Sequence, residues 1–221
     1  MRRTSETWRR LRPYRDSQTI KENDESELEY HRRIENEFTI PFEVVQQWLY
    51  PLYFDATFTN NYGWIDYSNV SFNLCSLPAG QLADVNVIAE FQSHVDNRSD
   101  AVAFSDFTGQ HRADWQNKRT WRTPPIVIDV NSLGETPEHA ELHGPLQLVE
   151  GHTRLGYLRA CIRCGVISNE SSHTVFILRV SKWMARLHSL ACFVYFLQPR
   201  GYQSADEDGI LIGNPLVHFV I

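Results

Sequence analysis

The chain has 221 residues, 42% of them hydrophobic and 22% charged, which suits a globular core and excludes collagen-like and heptad architectures. A formal net charge of −6 excludes a molecule that attracts nucleic acid over its whole surface, although a local basic patch is allowed. No apolar run approaches the ~20 residues of a membrane span, and the N-terminus has arginines but no apolar core of a secretory signal.

Four cysteines do not make a disulfide framework in a chain this long, so a reducing, cytoplasmic location and no membrane contact are expected. The first segment, Met1 to Arg15, carries Arg2, Arg3, Arg9, Arg10, Arg12 and Arg15 against Glu6, together with Trp8 and Tyr14. It reads either as an arm that grips DNA or an acidic protein partner, or as a solvated or partly docked terminus. Lys21 to Phe38 is rich in Glu and poor in breakers, which predicts a charged surface helix capped by Asn23 or Asp24, with Leu28, Ile34 and Phe38 on one side. Pro41 then fits the first turn of a helix over 42–50, with Val44, Val45, Trp48 and Leu49 available for burial, and Pro51 ends or kinks it.

Leu52 to Trp64 is dense in aromatics, and Asn60, Asn61 and Gly63 predict a turn within it. Those rings could stack on bases or cover a groove; core packing is the plainer use. Val70, Phe72 and Leu74 alternate with polar residues as in a strand, broken at Leu77-Pro78-Ala79-Gly80. Gln81 to His94 turns helical with Leu82, Val85, Ile88 and Phe91 on its apolar side, and Asn97 to Gln110 is polar and turn-rich. A short helix over 113–121 follows, ended by Thr123-Pro124-Pro125. Ile126, Val127, Ile128 and Val130 form a buried strand. The polar loop from Asn131 to Gly144 is long enough to be a lid or an insertion.

The richest stretch runs from Pro145 to Cys164. Leu146, Leu148 and Val149 make a short strand, Glu150-Gly151-His152-Thr153-Arg154 a tight polar turn, and Leu155, Leu158, Cys161 and Ile162 recur at helical spacing. Strand, glycine turn and helix leave backbone N–H groups free at a helix start, where an anion can sit. Beyond it, Thr174 to Val180 reads as a strand, 182–197 as a helix, Ala205 to Asp208 as an acidic turn and 210–221 as closing strands. Cys161 and Cys164 form a Cys-x-x-Cys pair with no second pair to complete a zinc site; a redox or zinc role competes with small buried cysteines. These elements predict an α/β (α+β) domain with a small mixed sheet and flanking helices over 66–221, preceded by a helical, charged and aromatic extension over 1–65.

Pro125-Ile126-Val127-Ile128, a variable loop, Leu148-Val149-Glu150-Gly151-His152-Thr153-Arg154-Leu155, a helix through Ala160, Gly165 and then Thr174-Val175-Phe176-Ile177 resemble the ParB/sulfiredoxin superfamily. The firm part of the likeness is Pro125 to Val180. It implies a nucleoside triphosphate, ATP or CTP, bound with Mg²⁺ at this turn and hydrolysed or used for phosphoryl transfer. Gly151, His152, Thr153 and Arg154 would hold phosphates, Glu150 would hold the metal, and Glu150 and His152 would be the catalytic groups. In stand-alone members that phosphorylate free serine an acidic residue is the base, a part for Glu150 or Glu90. The cysteine that sulfiredoxins carry inside the turn is replaced here, so sulfinic-acid repair is not expected. No recognition helix is evident after Val180, which speaks against a DNA-sliding clamp. A non-catalytic ParB-like module that binds DNA or a protein is the alternative.

Overall fold

The computed structural model describes residues 4–102 and 104–181, all within one compact unit, Met1–Met184. The helix, acidic turn and strands expected over 182–221 lie outside the described residues. Four strands form one mixed sheet: β1 Val70–Pro78, β2 Ile126–Asp129, β3 Leu146–Glu150 and β4 Ser172–Val180, in the order β1-β4-β2-β3. β1 pairs antiparallel with β4, β4 parallel with β2, and β2 antiparallel with β3. The expected mixed α/β class is therefore present, with helices against both faces of the sheet.

The sheet has two cores because its inner strands carry unbroken apolar runs, Ile126 to Ile128 in β2 and Val175 to Leu178 in β4. Ile126, Ile128, Val149, Phe176 and Leu178 point to one side, Val127, Leu148, Val175 and Ile177 to the other. Such continuous runs mark strands covered on both faces. Burying each large side chain of this kind contributes about 1.5–3 kcal/mol. β1 changes sides along its length: Val70 and Phe72 pack into the first core, Cys75 and Leu77 into the second, and Leu74 is left exposed.

The first core is made with the N-terminal segment. α1, Glu6–Arg10, is capped by Ser5, whose Oγ accepts from the Trp8 amide at 2.9 Å. Trp8 stacks on Tyr53 with centroids 4.9 Å apart, and Leu11 is fully buried. The described part of the arginine-rich segment is thus docked. Arg9 pairs with Glu6 at 2.7 Å and Arg10 with Glu37 at 2.5 Å, while Arg15 is buried and donates to the carbonyls of Ser17, Gln18 and Tyr50.

Several predicted boundaries are corrected. The Glu-rich helix is α2, Glu27–Ile34, and its cap is Ser26, not Asn23 or Asp24. Ser26 and Glu29 form a reciprocal capping box, which satisfies two N–H groups at once. Leu28, expected on the packed side, is exposed. Helices α3, Phe42–Val44, and α4, Tyr50–Leu52, are joined by a π turn, Val45–Leu49. Pro51 has no N–H to donate, and the helix widens just before it, with the Tyr50 N–H reaching the Val45 carbonyl. The Asn60-Asn61 turn is instead helix α5, Ala56–Tyr62, capped by Asp55. Asn61 is buried there, donating to Thr57 O at 2.9 Å and accepting from the Glu141 amide at 2.6 Å. The rings of this region serve as core: Tyr53, Phe58 and Tyr62 are all buried.

Three further helices cover the second core: α6 Ala79–Ala83, α7 Ala89–Ser99 and α8 Gly109–Lys118. α7 and α8 take only the two ends of the stretch expected to be turn-rich, residues 97–99 and 109–110. The 131–144 loop is pinned rather than free. Gln147, fully buried on β3, donates to Glu141 O at 2.8 Å and accepts from the His143 amide at 2.7 Å. The Glu141 carboxylate in turn accepts from the Ala89 amide at 2.5 Å and so caps α7 from a distance. Among the described residues no helix is long and apolar enough to cross a membrane.

Candidate functional site

Strand β3 ends at Glu150, and helix α9, His152–Arg163, begins directly after Gly151. The turn needs glycine twice over. Gly151 has φ of +111°, and a Cβ there would lie 2.7 Å from Pro125 Cβ and 3.1 Å from Arg154 Nε and Nη2. The β2–β3 pairing shifts register between Ile126 and Val127, opposite Glu150, so the ladder is irregular where the turn leaves it. No side chain caps α9, and its first intrahelical bond is Leu155 N to Gly151 O at 2.9 Å. The amides of the first turn precede that bond and have no acceptor within the helix.

A cleft of about 410 Å³ opens at this helix start, lined by Glu150 to Arg154 together with Phe91, His94 and His111. The five turn residues that the sequence singles out therefore share one cavity. Two contacts of α9, one through Gly156 and one through Tyr157, bring the other walls in. Gly156 lets α7 press onto α9, since a Cβ there would sit 2.4 Å from Arg98 Cβ and 2.7 Å from Val95 O. That approach carries His94 to Thr153, with Nε2 and Oγ1 2.9 Å apart. Tyr157 stacks on Phe107 at 3.9 Å and accepts from the Thr108 amide at 3.0 Å, which fixes the start of α8 and so His111.

Arg154 faces inward. Its Nη1 donates to Thr123 O and its Nη2 to Gln47 Oε1, each at 2.7 Å, and Nη2 is 3.6 Å from Glu150 Oε1. Only 8% of the residue is exposed. Its fork ties the turn to the segment before β2 and to the π turn, which makes it a clamp within the protein. Glu150 lies between Arg154 and His152, with Oε2 3.8 Å from His152 Nδ1. Burial raises the Glu150 pKa above the usual carboxylate range, against the opposing pull of Arg154 and the Gly151 amide. Burial lowers the Arg154 pKa, opposed by Glu150.

His152 is 8% exposed, with its ring against Phe91 at 4.4 Å between centroids. Burial, then His94 and Arg154, bring its pKa down to about 4, so it is neutral at neutral pH. Its Nε2 is buried and has no hydrogen-bond partner. A polar atom buried in this way costs roughly 1–3 kcal/mol unless something meets it. Burial also lowers His111, with Arg154 acting in the same direction.

The sequence pattern did not single out His94 or His111. They stand far from the turn in sequence, and nothing in the periodicity of Gln81 to His94 marks one polar residue above its neighbours. Glu90, the other acid considered as a base, accepts from the Thr57 hydroxyl and does not line the cleft. Among the described residues no group of three or more His, Cys, Asp or Glu is placed to hold a metal ion by itself. A metal at Glu150 would have to take most of its ligands from elsewhere, such as phosphate oxygens and water. The Cys-x-x-Cys pair lies at the far end of α9. Cys161 is buried and its thiol is pushed up to about 12, first by burial; Cys164 is exposed at the C-cap. A helix C-terminus disfavours a thiolate, so the pair lacks the setting of a reactive dithiol. No family model, curated protein or solved structure matches this chain.

Proposed function

We propose that the Glu150–Arg154 turn binds the phosphate of a nucleotide, with Mg²⁺ accompanying the polyphosphate. The observation that carries this reading is the buried, unpartnered Nε2 of His152 beside an open cleft at the uncapped start of a twelve-residue helix. Amides at such a start, with the helix dipole behind them, favour an anion by about 0.3–2 kcal/mol before any side chain is counted. The Thr153 hydroxyl and His94 add donors, and the cleft volume falls in the range of small-molecule sites. The resemblance of Pro125 to Val180 to the ParB/sulfiredoxin superfamily points the same way. In this reading Gly151, Thr153 and the amides contact phosphate, and Arg154 holds the turn in shape. Hydrolysis or phosphoryl transfer would draw on Glu150 and His152, the carboxylate as base and the neutral ring donating from Nε2 to a phosphate oxygen.

The test is a thermal-shift and calorimetric titration with ATP, CTP, GTP and ADP, each with and without Mg²⁺, on wild type and Thr153→Val. A ligand that binds only the folded state at 100 times its Kd stabilises by about 2.7 kcal/mol. A rise for one nucleotide that shrinks in Thr153→Val supports the reading; no shift with any nucleotide at millimolar concentration overturns it.

A second reading, a regulatory module that binds DNA or a protein, draws on the groove of about 720 Å³ beside α1 and α2, where Arg9, Arg10, Arg12 and Arg33 lie near the exposed Tyr14. DNA binding that weakens steeply with salt and with Arg12→Ala would favour it.

A further inference from the structure

A phosphate at the start of α9 calls for a cation, and the structure removes the obvious ones. The Arg154 fork is turned to Thr123, Gln47 and Glu150. His152 is held neutral by burial, and His111 is pushed down in the same way. Histidine is the side chain whose charge ordinarily changes between pH 5 and 8. Among the imidazoles lining the cleft, His94 is the exposed one. It reaches across from α7, with its Nε2 2.9 Å from the Thr153 hydroxyl at the second position of α9.

We propose that His94 brings the positive charge to a phosphate held by the first-turn amides of α9 and by Thr153, so that the ligand is a terminal phosphate group bound more tightly in its company with a proton. This rests on the phosphate-binding reading above. The groups that face His94 set the balance. Arg154 and His152 on α9 and His111 on α8 surround the cleft, with Arg98 on its own helix close to α9 through Gly156, and Glu150 at the end of β3. A phosphate bound at Thr153 attracts positive charge on the His94 ring beside it. Proton and phosphate are therefore coupled, each raising the affinity for the other by the same factor. The close packing at Gly156 keeps α7 at the distance that makes the coupling work.

Titrations of the full chain with inorganic phosphate, AMP and metal-free ATP at about pH 6 and about pH 8 test this, with wild type, His94→Gln and His94→Lys compared. Phosphate changes its own charge in that window, and His94→Gln, which keeps a hydrogen-bonding side chain on an exposed position, isolates the histidine's share. The expected result is about tenfold weaker binding in His94→Gln at the lower pH, a smaller loss at the higher, and near-wild-type affinity in His94→Lys at both. Equal affinity and equal pH dependence in wild type and His94→Gln overturns the role of His94 and leaves the phosphate site standing. No binding of any of the three ligands by wild type at either pH overturns both. AMP and ATP binding with no response to inorganic phosphate keeps the proposal only if the His94→Gln loss appears with the nucleotides.

Discussion

Replacing Arg154 with alanine separates a clamp from a ligand. In the folded chain the guanidinium meets Thr123 O and Gln47 Oε1 at 2.7 Å each and lies 3.6 Å from a Glu150 oxygen. Alanine leaves both oxygens without this donor at a position where the arginine itself is 8% exposed. An orphaned acceptor costs about 1–3 kcal/mol, and removal of one partner of a buried pair about 3–5 kcal/mol. Glu150 keeps 23% of its side-chain exposure, so its share falls at the low end. The expected loss is about 3–5 kcal/mol. At roughly 2–4 °C per kcal/mol for a chain of this size, Tm should fall by roughly 6–20 °C. Urea unfolding gives the free energy directly, and Arg154→Lys should recover part of it, because a single ammonium cannot span two acceptors in a fork. If Arg154→Ala unfolds within about 1 kcal/mol of wild type while nucleotide binding disappears, the guanidinium faces a ligand and the clamp is refuted.

His152 makes the fold acid-sensitive. Its folded pKa of about 4 lies below the unfolded imidazole value of 6.5, so between these the unfolded chain binds the extra proton. Stability from this group is complete above about pH 6.5 and is lost as pH falls towards 4, by about 3 kcal/mol in all. Urea midpoints measured across that range should fall for wild type and stay flatter for His152→Gln; parallel curves would show that the ring is not held neutral. At the N-terminus, Trp8→Ala should destabilise by about 3–5 kcal/mol, since the ring is 2% exposed and stacked on Tyr53. Chemical denaturation checks this, and a loss below about 1 kcal/mol would return the segment to the status of a loose arm.

The strand, turn and helix from Leu146 to Arg163 were legible because three local signals agree there: a short apolar run, a glycine and a helical recurrence of apolar residues. β2 and β4 were legible for a related reason, since an unbroken apolar run admits little else in a sheet buried on both faces. The start of α2 was not: Asn23 and Asp24 are as good caps locally as Ser26, and only the reciprocal Ser26–Glu29 bonds decide. Asn60 and Asn61 carry a real turn propensity that a distant contact overrides, because Asn61 finds the Glu141 amide across the core. The site shows the same division. Its turn could be read from neighbours in sequence, whereas His94 enters through the packing of α7 on α9 at Gly156. The inward direction of Arg154 depends on Gln47 and Thr123, which no spacing links to it.

The place of β4 between β1 and β2 fixes an order of assembly during synthesis. β1 is made early, yet its sheet partner is β4, the last of the four strands to leave the ribosome. β2 and β3 can pair as a hairpin before then, but a two-stranded ribbon is marginal in water. Until Ser172–Val180 arrives, the growing chain carries a nine-residue strand with both edges open and two half-built cores. Exposed edges of that kind recruit other chains. A nascent chain arrested just short of β4 should therefore be the species most prone to aggregate, and the one most dependent on chaperones.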